Sequence, residues 1–272
     1  MKLIKKAAAL LMAAMAILSL SACGSTQSGD ANNQQGGEEK KEQIVFGTSA
    51  DYAPFEFHTM VNGTDTIVGS DIDLAKQIAE DLGKELVVKD ISFDVLLNEL
   101  QNGTIDFVVA AMASTDERKE QADPSDSYYG KDYQRVVFKK ENAEKFKSFD
   151  DFDGVKVAVQ SGAIQVGLAE DNLTGCELLI LQSVPDMFNN LLNDKCDAVL
   201  VDGNVAEGYV ASNSELAILD QDFPSMDGSC VWVQKGDPDG LLETINKTIA
   251  SCKESGQYEK WLAAAEKLDG GK

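Results

Sequence analysis

An arginine in the first turn of a short predicted helix is the first feature of this chain that suggests chemistry. Thr115 follows an apolar run and can cap the helix, which places Arg118 three residues further on. Free backbone N–H groups, the helix dipole and the guanidinium would then converge. Arginine can bind a carboxylate there with two parallel hydrogen bonds. A surface ion pair with Asp116 or Glu117 fits the same spacing.

A carboxylate ends another predicted strand. Asp202 follows the apolar run 198–201 and could hold an ammonium group, although capping the next helix is the commoner role for such an aspartate. Gln160 and Gly162 occupy a strand-to-helix turn with backbone donors. Because this turn lacks the Gly-Lys-Ser/Thr ending of a phosphate loop, we expect no nucleotide there.

Two aromatic residues follow predicted strands in the first half of the chain. Tyr52 comes after the first strand, and Phe93 precedes a predicted helix. Their rings could hold a flat or aliphatic group between them. Burial in the core is an equally good interpretation of Phe93.

Alternating strands and helices must position these residues. The predicted strands span 44–47, 86–88, 105–111, 155–159, 178–181, 198–201 and 231–233. Two predicted helices span 71–82 and 93–100. Another helix follows Gly162, another begins at Ser183, and a pair of helices ends the sequence. Two β-α-β-α cycles indicate two α/β lobes with largely parallel sheets. Ligands bind at the carboxyl ends of strands in such sheets, so we expect the site in a cleft between the lobes.

The N-terminus resembles a secretory signal. Lysines precede an apolar run that ends at Leu20 and is too short to span a bilayer well. Leu20-Ser21-Ala22-Cys23 resembles the lipobox of bacterial lipoproteins. We expect 1–22 to be removed, Cys23 to carry acyl (palmitate) chains, and 23–42 to be a solvated linker. An ordinary signal peptide with a chance cysteine is the alternative.

The composition is strongly acidic. The formal charge is −22, and the first 22 residues carry three lysines and no acidic residue, so the remainder stands at −25. This charge argues against nucleic acid and against adsorption to anionic lipid. His58, which we place in a hairpin or loop, is the only histidine, and the cysteines are not clustered, so we expect no metal or other cofactor. Disulfides and small buried thiols fit equally well at Cys176, Cys196, Cys230 and Cys252.

Six short motifs follow one another in a specific order. They are Gly47-Thr48, Tyr52-Ala53-Pro54-Phe55-Glu56-Phe57, Gly69-Ser70-Asp71-Ile72-Asp73-Leu74-Ala75, Thr115-Asp116-Glu117-Arg118, Ser125-Asp126-Ser127-Tyr128-Tyr129 and Asp197-Ala198-Val199-Leu200-Val201-Asp202. The ordered set resembles the family 3 solute-binding proteins, which bind polar amino acids for ABC importers. The resemblance implies an α/β, two-lobe periplasmic-binding-protein fold of type II. Lobe 1 would comprise 43–131 and 229–272, and lobe 2 would comprise 132–228.

The resemblance also implies how the two ends of an amino acid would be bound. Arg118 would bind the α-carboxylate, helped by backbone around Ala111 and Ala113, and Asp202 would bind the α-ammonium. No residue is implied to be catalytic.

Side-chain recognition would come from both lobes. Tyr52 and Phe93 would flank the ligand side chain. The second lobe would contribute Gln160, Gly162 and Ile164. Ser49 stands where several relatives have aspartate, and Glu56 could favour a cationic group, so arginine or lysine leads over glutamine or another polar amino acid.

The implied partners are an ABC permease with its ATPase subunits, and the membrane through Cys23. We expect a monomer held outside the cytoplasm. A cyclohexadienyl or arogenate dehydratase on the same fold is the alternative, with Glu56 as the nearest proton donor.

Overall fold

The computed structural model describes residues 42–130, 133–224 and 227–269. The expected signal segment 1–22, Cys23 and almost all of the expected linker lie outside the described residues. The strands are β1 (Gln43–Thr48), β2 (Asp51–Tyr52), β3 (Glu56–Val61), β4 (Thr64–Val68), β5 (Glu85–Asp90), β6 (Phe107–Val108), β7 (Ala122–Tyr129), β8 (Gln134–Lys139), β9 (Lys156–Gln160), β10 (Glu177–Leu181), β11 (Ala198–Asp202), β12 (Leu216–Ile218) and β13 (Ser229–Gln234).

Helices pack on these strands. The α-helices are α1 (Ser70–Asp81), α2 (Leu96–Gln101), α3 (Asp116–Gln121), α4 (Gln165–Asn172), α5 (Val184–Leu192), α6 (Gly203–Ser212), α7 (Leu242–Ser255) and α8 (Gln257–Asp269), with 3₁₀ turns at Phe93–Val95, Lys140–Asn142 and Phe149–Phe152.

Two five-stranded sheets define two lobes. The first sheet has the order β5-β1-β6-β13-β7 and the second has the order β10-β9-β11-β8-β12. In each sheet the fourth strand of this order, β13 or β8, runs antiparallel to its neighbours. The expected largely parallel sheets are therefore mixed. The two reversed strands are those by which the chain enters the second sheet and returns to the first. We call the sheets with their helices lobe 1 and lobe 2.

The predicted strand over 105–111 is wrong in length, because the sheet keeps only Phe107–Val108. Five of its seven residues, Ile105 and Phe107 to Ala110, are buried, which explains its apolar sequence. Beyond Val108 the backbone leaves the ladder, and Ala111 has a left-handed φ of 44°. Its N–H donates to Asp71 Oδ2 at 2.7 Å. The backbone N–H of Ala111 thus donates to the Asp71 side chain instead of to a neighbouring strand. Hydropathy alone cannot predict such a bond.

Helix ends follow their sequence signals. Helix α1 buries its apolar face and is followed by Gly83 at a φ of 69°. Thr115 caps α3 by accepting the N–H of Arg118, and Ser183 caps α5 by accepting that of Asp186. The helix predicted at 93–100 begins as the 3₁₀ turn Phe93–Val95.

The cysteines and the histidine have structural surroundings. Cys176, Cys196 and Cys252 are free thiols. His58 lies on the β3–β4 hairpin, 3.0 Å from carboxylate oxygens of Asp65 and Asp90. No cluster of three or more potential metal-binding side chains occurs in the described residues. Within the same ranges, none of the helices combines the length and apolarity needed to cross a membrane.

We predict that Gly69→Ala destabilises lobe 1 more than Gly63→Ala does. Both glycines have positive φ, but an added Cβ at Gly69 would lie 1.9 Å from the Phe55 carbonyl oxygen, whereas Gly63 has open space. Strain plus the forced backbone shift should lower the free energy of unfolding by about 3 kcal/mol or more at Gly69, and by about 1 kcal/mol at Gly63. Urea unfolding measures both; equal losses would contradict the close approach.

Candidate functional site

A cavity lies between the lobes, at the carboxyl ends of β1, β9 and β11; together with the open solvent at its mouth it comprises about 480 Å³. Ten of the eleven predicted site residues line it: Ser49, Tyr52, Glu56, Phe93, Ala111, Ala113, Arg118, Gln160, Ile164 and Asp202. The exception is Gly162, which touches the site through its carbonyl group. The fold therefore brings together residues that are more than 150 positions apart in the chain.

Arg118 supplies a buried positive charge with no carboxylate partner. Its Nη1 donates to the carbonyl of Ala113 at 2.8 Å and its Nη2 to that of Gly162 at 3.1 Å. No described residue forms an ion pair with it, and Asp116 pairs with Lys119 instead. Burial lowers the pKa of Arg118 to about 10, so the guanidinium remains charged at neutral pH. The arrangement is suited to an anionic guest.

Asp202 combines the two roles that its position allows. Its Oδ1 caps α6 by accepting from the backbone N–H of Asn204 at 2.8 Å, and it also accepts from the Asn204 side chain at 3.0 Å. It also lines the cavity, and it forms no ion pair among the described residues. Burial raises its pKa to about 6, above the ordinary value for aspartate. An ammonium group would stabilise the ionised form.

Glu56 is the least satisfied polar group in the cavity wall. It is 1% exposed, and no donor among the described residues reaches either carboxylate oxygen; the carboxyl lies beside that of Asp71, to which it can donate only when it is protonated. Burial raises its pKa well above the ordinary value, and the negative charges of Asp71 and Asp51 raise it further. A carboxyl group in this state suits either a proton or a cationic guest.

Asp71 lies behind the cavity and holds its wall in place. Its Oδ2 accepts from Tyr128 Oη at 2.5 Å and from the Ala111 N–H at 2.7 Å, and its Oδ1 accepts from Tyr258 Oη at 2.7 Å. These bonds lower its pKa against the larger effect of burial, which raises it. They also fix the left-handed backbone of Ala111.

Two aspartates of lobe 1 hold the lobes together. Asp51 Oδ2 accepts from Gln160 Nε2 at 3.4 Å and from the backbone N–H of Val184 at 3.0 Å. Asp94 Oδ2 accepts from Ser161 Oγ at 2.9 Å and from Gln182 Nε2 at 3.0 Å.

Close backbone approach accompanies these bonds. A Cβ on Gly162 would lie 2.9 Å from the Asp94 Cα, and the φ of Gly162 is 73°. Tyr52 Oη accepts from the Asp202 N–H at 3.2 Å and from Gln165 Nε2 at 3.5 Å. The lobes are closed on each other.

The sequence analysis missed five residues of the cavity wall: Asp51, Ala110, Gln134, Ala163 and Gln165. Asp51 immediately precedes Tyr52, so its position after β1 was an available signal. Gln134 accepts from Gln165 Nε2 at 2.7 Å, and both side chains are buried. No motif marked this pair, because it forms only when β8 and α4 meet.

Comparison with known proteins identifies the family. The model of the bacterial extracellular solute-binding proteins, family 3, matches residues 44–264. The arginine-binding extracellular protein ArtP of Bacillus subtilis is 34% identical over 260 residues, which cover 94% of this chain and 96% of ArtP. The chain belongs to the bacterial extracellular solute-binding proteins, family 3.

Solved structures agree with this assignment. AbpA of Streptococcus pneumoniae, an amino acid ABC transporter substrate-binding protein bound to L-arginine, has a TM-score of 0.79 and 36% identity, covering 85% of this chain and 97% of that one. An ancestral arginine-binding protein bound to glutamine has a TM-score of 0.74 and 36% identity, covering 81% and 96%. These relatives are named as binding proteins, so the chain is a solute-binding protein and not an enzyme. The dehydratase alternative is not favoured.

We predict that Asp94→Ala weakens the binding of every solute by the same factor. Asp94 does not line the cavity, so its loss should act only on closure. Losing two hydrogen bonds to a carboxylate should cost about 1.5–3 kcal/mol, which weakens binding about tenfold or more.

Asp73→Ala is the matched control, because Asp73 lies on α1 and pairs only with Lys76. Calorimetry with two chemically different solutes measures the effect. A change in their affinity ratio would mean that Asp94 contacts the guest.

Proposed function

We propose that this protein is the extracytoplasmic substrate-binding lipoprotein of an amino-acid ABC importer and that it captures an amino acid with a cationic side chain, arginine or lysine, ahead of a glutamine-like one. The observation that carries the proposal is a set of buried ionisable groups around one cavity that form no ion pair among the described residues: Arg118, Asp202 and Glu56. An amino acid with a cationic side chain carries the complementary charges.

The two ends of the ligand bind opposite lobes. Arg118, in lobe 1, binds the α-carboxylate with its planar fork, and the backbone of Ala111 and Ala113 lies beside it. Asp202, in lobe 2, binds the α-ammonium. Neither lobe alone satisfies both charges, so the ligand favours the closed form by its difference in affinity for the two forms.

The ligand side chain extends between aromatic and acidic groups. Tyr52 and Phe93 flank it, and the Arg118 Cζ lies 5.4 Å from the Phe93 ring centre, which keeps that ring at the cavity edge. Glu56 meets its cationic end. Gln160, Ile164 and the Gly162 turn approach from lobe 2, and Ser49, hydrogen-bonded to Asp51 at 3.2 Å, completes the wall. The similarity to proteins named for arginine supports this choice, and the ancestral relative bound to glutamine supports the second candidate.

Closure is a hinge motion about two crossings of the chain. One connects β7 to β8 after the Tyr129 region, and the other connects β12 to β13 before Cys230. Lobe 1 then comprises 43–131 and 229–272, and lobe 2 comprises 132–228. Motion at two short connections leaves both sheets intact.

A lipid anchor keeps the binding protein near its permease and the ATPase subunits. The proposal rests on Leu20-Ser21-Ala22-Cys23 and on the polar sequence of 23–42. One acyl chain binds weakly, so stable anchoring at Cys23 uses more than one. The protein acts as a monomer, because one chain supplies all the cavity walls described above.

We predict that Arg118→Ala and Arg118→Lys both lose arginine affinity. The ligand carboxylate would be buried without its bidentate partner, which should cost about 2–5 kcal/mol. Calorimetry on refolded, ligand-free protein measures the loss. Lys119→Ala is the control, because Lys119 lies on the same helix and pairs with Asp116 at the surface. Near-wild-type affinity in Arg118→Ala would overturn the carboxylate assignment.

We predict that Cys23→Ser separates the protein from the membrane or stalls its processing. Without the thiol there is no atom to carry the acyl chains. Fractionation of a bacterial host that expresses the full chain gives the readout, with Ser25→Ala as a nearby control. Normal maturation of the Cys23→Ser protein with full membrane retention would show that the anchor lies elsewhere.

A further inference from the structure

Among the cavity carboxyl groups, Glu56 is the one without donors. Asp71 accepts from two phenols and one backbone N–H. Asp51 accepts from Ser49, from Gln160 and from the Val184 N–H. No donor among the described residues reaches either oxygen of Glu56, although the side chain is 1% exposed; its carboxyl lies beside that of Asp71, to which it can donate only when it is protonated.

The charged groups around Glu56 favour its neutral form. Burial has the largest effect on its pKa, which is raised, and the negative charges of Asp71 on α1, Asp51 on β2 and Asp90 at the end of β5 act in the same direction. Arg118 on α3 and Asp202 on β11 share the cavity wall. The other titratable groups nearby are phenols: Tyr52, Tyr128 and Tyr258.

Hydrogen bonding decides which carboxyl carries the proton. Asp71 and Asp51 each have three donors, which stabilise their ionised forms. Glu56 has none, so protonation removes an uncompensated buried charge and lets the Glu56 carboxyl donate to the Asp71 carboxylate beside it. A bound guanidinium or ammonium reverses this preference, because it supplies both charge and donors.

We propose that a cationic ligand side chain displaces a proton from Glu56, so that the charge state of Glu56 determines which class of side chain the cavity prefers. The proposal rests on the proposed function. The Glu56 O–H bond breaks, the proton passes to solvent, and the carboxylate formed pairs with a ligand cation that is already protonated. A neutral side chain of the same shape leaves the proton on Glu56 and accepts a hydrogen bond from it.

The sign of the pH dependence follows. The Glu56 pKa is raised in the ligand-free protein and lowered when a cation is bound, so binding releases a proton below the ligand-free pKa. Arginine affinity should rise with pH in that range, by up to about tenfold per pH unit, and level off above it. The affinity for citrulline, which has the shape of arginine without the charge, should lack this rise.

Calorimetry with arginine and citrulline tests the proposal. Refolded, ligand-free protein is titrated from about pH 5 to about pH 8, in two buffers of different ionisation enthalpy at each pH, which gives the protons released per ligand. Both ligands place the same ammonium group at Asp202, so both release the same number of protons there. This contribution cancels when the protons released by citrulline are subtracted from those released by arginine. We expect arginine to release up to about one proton more than citrulline at the lower end, with the excess falling as the pH rises.

The isosteric variant Glu56→Gln assigns the proton. The excess should vanish in this variant, because the glutamine amide has no proton that a bound cation could displace. If citrulline binds too weakly to measure, the number of protons released on arginine binding is compared between the wild type and Glu56→Gln instead.

Equal proton release by the two ligands at every pH would overturn the proposal, as would an excess that persists in Glu56→Gln. Either result leaves amino-acid binding intact. An absence of binding by all common amino acids would instead overturn the proposed function.

Discussion

Burial of charge without an internal partner is the constraint on which the site depends. Among the described residues, Arg118 donates to carbonyl groups, Asp202 accepts from the backbone and side chain of Asn204, and no donor reaches Glu56. Removing such groups from water is unfavourable unless a charge of opposite sign accompanies them. The closed cavity is therefore suited to its guest and costly without it. The same three groups make closure of the lobes depend on the ligand.

The rest of lobe 1 holds these groups in position. Asp71 is occupied by two phenols and by the Ala111 N–H, which fixes the left-handed backbone of the segment between β6 and α3. That segment leads to Thr115, whose cap starts α3 and points Arg118 at the carbonyls of Ala113 and Gly162. A guanidinium held by carbonyl groups keeps its full charge for a carboxylate. Rigid support of this kind is what allows a site to remain unsatisfied.

Sequence reasoning succeeded where a local rule decides the structure. The Thr115 and Ser183 caps, the apolar face of α1 and the strand ends that carry Asp202 and Gln160 all follow from spacing and residue type. It failed where a distant contact overrides the local pattern. The run 105–111 has a strand composition, but Asp71 captures its backbone. The pairs Asp51–Val184 and Gln134–Gln165 join residues far apart in the sequence, so no local signal could reveal them.

Two carboxyl groups in one cavity wall illustrate how environment separates function. Asp51 and Glu56 are five residues apart, and both have raised pKa values because both are buried. Asp51 uses its oxygens for donors from both lobes, and that makes it a closure contact whatever the guest. No donor among the described residues reaches the oxygens of Glu56, so its charge is neutralised either by a cationic guest or by a proton that it donates to Asp71. Glu56, which no internal donor reaches, can therefore distinguish a cationic from a neutral ligand side chain, whereas Asp51, whose oxygens already have donors, contributes to closure with any ligand.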